Sequence, residues 1–101
     1  MGSSHSEPAI VAVVGELDLA NAREFGAEVD AALETGSDVR IDLALCEFID
    51  STGIALLVRK ARELRDAGRQ LSVSNIPWDV DRIFEIAGLF ADGSPVARAT
   101  P

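Results

Sequence analysis

The chain has 101 residues, 48% of them apolar, and a formal net charge of −8. That length suits one domain with a real core, which excludes a two-domain protein and a disordered one. Its acidity speaks against nonspecific binding to nucleic acid or anionic membranes, and a single cysteine, Cys46, with a single histidine, His5, leaves a disulfide framework or a His/Cys metal centre without ligands.

Residues 1–8 read as a polar leader with no secretory-signal pattern. No apolar run reaches the roughly 18–20 residues of a membrane span. A cytoplasmic domain over 9–98 is therefore expected. Ile10–Val14 is short and β-branched, which predicts a strand. Gly15-Glu16-Leu17-Asp18 follows as a loop at its carboxyl end. Asn21-x-x-Glu24 has the form of a capping box, and Ala22, Phe25, Val29, Ala32 and Leu33 recur at helical spacing, so a helix is predicted over 21–35. Val39–Leu43 alternates apolar and polar as a second strand, and Leu45, Phe48 and Ile49 carry the apolar path onward. Ile54, Leu57, Val58, Ala61 and Leu64 mark the buried face of a second helix that ends at Gly68, with Arg59, Lys60, Arg62, Glu63 and Asp66 on a solvated face. Leu71–Val73 is a third strand. Pro77 opens a third helix with Val80, Ile83, Phe84 and Ala87 inward, and a short last strand is expected around Val96. Trp78 is expected to pack on the core, and Cys46 to be a buried thiol without a task.

Strands alternating with helices imply helices packed on a mainly parallel or mixed sheet. Charge is uneven along the chain: residues 1–50 hold 11 acids and 2 bases, and five of the nine bases lie between Arg59 and Arg69. An acidic face of this kind either stays solvated or meets a basic partner surface.

Catalytic patterns are missing. There is no Gly-x-Ser-x-Gly elbow and no phosphate-binding Gly-Lys loop. His5, in the leader, would have to serve as any histidine general base. No enzyme, cofactor or metal is expected. The informative segment is Asp50-Ser51-Thr52-Gly53, between a buried strand and an amphipathic helix. Ser51 stands where an N-cap belongs, and one reading stops there. The other makes Ser51 a phosphoacceptor, since a helix N-terminus carries about +0.5 charge and unpaired N–H groups that suit a phosphate. Gly53 would leave room for an approaching surface. Glu16 and Asp18, at the end of another strand, would share that rim if the two strands pair in parallel.

Three segments in order resemble STAS domains: Gly15-Glu16-Leu17-Asp18, Asp50-Ser51-Thr52-Gly53-Ile54 and Val80–Phe90. Within that family the chain is most similar to bacterial anti-sigma factor antagonists. The resemblance implies an α/β fold, a four- to five-stranded mixed sheet with three to four helices mainly on one side. It implies a partner-switching cycle: the antagonist binds an anti-sigma factor that is itself a serine kinase, is inactivated by phosphorylation at Ser51 (Thr52 in second place), and is reset by a PP2C-type phosphatase. Glu16, Asp18, Asp50, Ser51, Thr52 and Gly53 would form the docking surface. The compact form also resembles the STAS subunit that braces the ATPase of a phospholipid-transport ABC complex, where the Thr52 position is the noted one. An edge strand could, in addition, pair with a second copy as a homodimer.

Overall fold

The computed structural model describes residues 7–99. Most of the polar leader, residues 1–6, lies outside them. The elements in chain order are β1 (Ala9–Leu17), α1 (Ala22–Leu33), β2 (Val39–Ile49), α2 (Ser51–Asp66), β3 (Leu71–Ser74), α3 (Trp78–Ala87) and β4 (Val96–Arg98). The strands lie side by side in sequence order and every pairing is parallel.

Among the described residues the expected mixed sheet is thus corrected to an all-parallel sheet of four strands. The reason is in the connections. Each of β1, β2 and β3 is followed by a helix that carries the chain back to the starting end, so the next strand must run the same way. Stepping always in one direction with right-handed crossovers puts the helices on one face. Val11, Val13, Val39, Ile41, Leu43, Leu71 and Val73 form the covered face, joined to Phe25 and Val29 of α1, Leu57 and Leu64 of α2, and Val80 and Phe84 of α3. The opposite face keeps Ile10, Val14 and Leu45 exposed.

β2 is longer than its alternation predicts because it is bulged twice against β1. Ala12 pairs with Asp42 but Val14 with Leu45, and Gly15 pairs with Cys46 but Glu16 with Phe48. Each step inserts one extra β2 residue. Leu45 and Phe48 therefore turn to the open face while Cys46 and Ile49 turn inward. Cys46 is buried, its thiol lies 3.5 Å from the Phe48 carbonyl oxygen, and burial pushes its pKa up.

Four local expectations are corrected. Asn21 does not cap α1 with its side chain. Its Oδ1 accepts the Asp18 N–H at 2.8 Å, and its Nδ2 donates to the Glu16 carbonyl, so it pins the turn between β1 and α1. Lys60 is not on a solvated face but only 7% exposed. Gly26 of α1 has no side chain, so the Lys60 stem packs against it and carries Nζ to Asp30 Oδ1 at 2.7 Å. Trp78 is 73% exposed, because the core face of α3 begins at Val80; its ring lies under Arg82 one turn on. Ala87 is exposed too, and Leu89, beyond the left-handed Gly88, fills the core position instead.

Candidate functional site

The carboxyl ends of β1 and β2 meet. Leu17 pairs with Ile49, and the Asp50 N–H donates to the Leu17 carbonyl at 3.2 Å. This brings Asp18 and Ser51, 33 positions apart in sequence, onto one rim of the sheet, as parallel pairing requires. Gly15-Glu16-Leu17 belongs to β1 rather than to a loop.

The helix cap is Asp50, not Ser51. Asp50 is extended, and its Oδ1 accepts the Gly53 N–H at 3.0 Å. Ser51 is the first residue of α2 and is exposed; Thr52 is half-buried. The division follows from side-chain reach. A carboxylate one residue before the helix can bond the third N–H of its first turn, which leaves the next hydroxyl out of the cap. Asp50→Ala is expected to lower stability by about 1 kcal/mol, read by urea denaturation, while Ser51→Ala stays close to the parent.

Gly53 does not open space for a visitor. It is buried, and a Cβ built on it would stand 2.6 Å from the Leu17 carbonyl oxygen and 2.8 Å from Ile49 Cγ1. Its missing side chain instead lets α2 start directly against the end of β1.

The rim has two electrostatic halves. On one, Asp18 Oδ1 accepts the Ala20 N–H at 3.0 Å and the Asn21 N–H at 3.3 Å, so this carboxylate shapes the turn into α1. Asp18 also holds the Glu16 carboxyl above its ordinary pKa, first by a side-chain hydrogen bond and then by its charge, with a small contribution from Glu47. On the other half, a cleft between the amino ends of α1 and α2 is lined by Arg23, Ser51, Thr52, Ala55 and Arg59. Neither arginine joins an ion pair among the described residues. Ser51, Ala55 and Arg59 follow at four-residue intervals on one helix face. The small Ala55 leaves the floor between hydroxyl and guanidinium open.

Sequence reasoning missed both arginines. Arg59 could have been found from its spacing to Ser51. Arg23 could not, since only the packing of α1 against α2 brings it there. Among the described residues no cluster of His, Cys, Asp or Glu could hold a metal, and no helix is long and apolar enough to cross a membrane.

Comparison with known proteins adds the lineage. A family model described as "Mlab, STAS domain" matches residues 2–91. The anti-sigma-B factor antagonist of Bacillus subtilis is 30% identical over 79 residues, 78% of this chain and 72% of the relative. A protein named putative anti-sigma factor antagonist BtrV, of Bordetella bronchiseptica, is 31% identical over 91 residues, 89% of this chain and 78% of the relative. The structure of the anti-sigma factor antagonist SpoIIAA in its unphosphorylated form superposes with a TM-score of 0.64 at 22% identity, covering 90% of this chain and 79% of that one. The rim of two strand ends and one helix start thus has a lineage: this chain belongs to the STAS-domain family, among the anti-sigma factor antagonists.

Proposed function

We propose that the chain works as the switchable component of a partner-switching cycle. Unmodified, it binds an anti-sigma factor that is also a serine kinase, and so releases a sigma factor. Phosphorylation at Ser51 inactivates it, and a PP2C-type phosphatase resets it. The chain itself catalyses nothing.

The observation that carries this reading is the placement of Ser51 beside a helix cap supplied by Asp50. Because another side chain holds the first turn, the hydroxyl is free to be modified without loss of the cap. A phosphoryl group there adds ≈ −1.5 to −2 charge. It meets the positive end of the α2 dipole, so the helix tolerates it. Arg23 and Arg59 line the same cleft and offer groups of opposite sign for it to pair with. The fold survives while the positive charge of the cleft is neutralised, and a change of charge at constant fold is what a docking switch requires.

The rim supports Ser51 over Thr52 as acceptor, since the threonine is half-buried and the serine exposed. The same contrast weighs against the alternative of a subunit bracing a transport ATPase through the Thr52 position. Incubation with the cognate kinase and ATP, followed by mass spectrometry of the peptide spanning 48–59, is expected to place one phosphate on Ser51. Equal labelling of Ser51→Ala, or label on Thr52, would refute the assignment. Co-purification with a transport ATPase instead of a kinase would favour the alternative.

A further inference from the structure

We propose that the outer edge of β1 is a second docking site, distinct from the Ser51 rim, and that it takes an extended basic segment of a partner protein as a fifth strand. The inference does not depend on phosphorylation.

β1 is nine residues long and stands at the edge of the sheet. The Ala9 N–H donates to the Asp38 carbonyl of the β1–β2 side at 2.8 Å. Alternation along a parallel strand then turns the N–H and C=O of Ile10 and Ala12 outward, where no other described strand pairs with them. Natural edges are usually blunted by charge, proline or shortness. Ala9 to Gly15 carries no charged residue and no proline. β4, the other edge, is blunted: it has only three residues, and its Arg98 pairs with Asp81 at 2.9 Å.

The occupant follows from charge. The groove between β1 and α1 is bordered by Glu16, Glu24 and Glu28, with Phe25 at its floor. None of the three carboxylates has a basic partner among the described ion pairs. A second copy would bring the same three acids, on a chain of net −8, to the same seam, and like charges would oppose it. A strand whose alternate side chains are basic would place its main chain against Ile10 and Ala12 and its cations along the α1 acids. Its apolar side chains would continue the exposed Ile10–Val14 stripe. This is strand addition, in which main-chain bonds give affinity and alternate side chains give selectivity.

The test uses the full chain and two synthetic nine-residue peptides, one alternating lysine with valine and one alternating glutamate with valine. Amide hydrogen exchange is followed residue by residue. In the free chain the Ile10 and Ala12 amides are expected to exchange rapidly. The lysine peptide is expected to slow both and to bind roughly tenfold or more tightly than the glutamate peptide. The double substitution Glu24→Lys/Glu28→Lys should reverse that order, and Ala12→Pro, which removes an outward N–H, should abolish the protection. Protection already present in the free chain would mean that the upstream residues or a second copy cover the edge, and would overturn the proposal. So would equal binding of both peptides, or lysine-peptide binding that leaves Ile10 and Ala12 unprotected.

Discussion

Gly53→Ala is expected to cost about 1–3 kcal/mol of unfolding free energy, which for a domain of this size lowers the melting temperature by roughly 4–24 °C. The added Cβ would stand 2.6 Å from the Leu17 carbonyl oxygen, 2.8 Å from Ile49 Cγ1 and 2.9 Å from Leu17 Cγ. The first of these atoms is main chain and already accepts the Asp50 N–H, so it cannot swing aside. The first turn of α2 must lift instead, and Ser51 must move with it. A control sits one helix away. A Cβ at Gly26 would meet Leu56 and Lys60 side-chain atoms at 3.8 Å, which is ordinary contact. Gly26 lies inside α1, where alanine is the better helix former, so Gly26→Ala should raise stability by about 0.5–1 kcal/mol. Urea and thermal unfolding of the pair measure both signs, and a neutral Gly53→Ala would contradict the packing described.

Ser51→Asp is expected to weaken binding to the anti-sigma factor by about tenfold or more, while Ser51→Ala binds within about twofold of the parent. One negative charge at α2's first residue is only part of a phosphate's, so the aspartate effect is a lower bound on the switch. Its cause can be separated from damage to the fold. An acid at the start of a helix interacts favourably with the dipole, typically by 0.3–1 kcal/mol. Ser51→Asp should therefore be as stable as the parent or slightly more so. Lost affinity with undiminished stability is the signature of a docking switch. Lost affinity with lower stability would mark Ser51 as structural. Calorimetric titration against the purified partner, with unfolding curves for each variant, reads the two quantities independently.

Much of this was legible in the residues. Period-two and helical patterns gave the order of the elements, because an α/β sheet with one covered face leaves its periodicity in every segment. The two strand ends that form the rim were readable as well, from Gly15–Asp18 and Asp50–Gly53. What escaped reading was set by tertiary contact. The bulges in β2 depend on β1 lying beside it, so Leu45 and Phe48 look like core in the sequence and stand on the open face. Gly53 reads as local freedom but is a close approach between a helix and a strand end, which no single segment records. Lys60 falls on the polar face of any helical wheel, yet Gly26 on another helix makes room for its stem and Asp30 meets its charge. Trp78 is expected by type to pack on the core and is left outside by its position at the start of α3. The resemblance implies a mixed sheet, whereas each of the three crossover helices among the described residues returns the chain to a parallel neighbour.

The strictly sequential strand order has a consequence for synthesis. Every wall of the Ser51 cleft and both ends of the rim come from β1, α1, β2 and α2, which are complete at Asp66. Every residue that lines the cleft is therefore synthesised before Leu71. The last third lines none of the cleft and acts as a buttress, with β3 laid against β2 on the side away from β1.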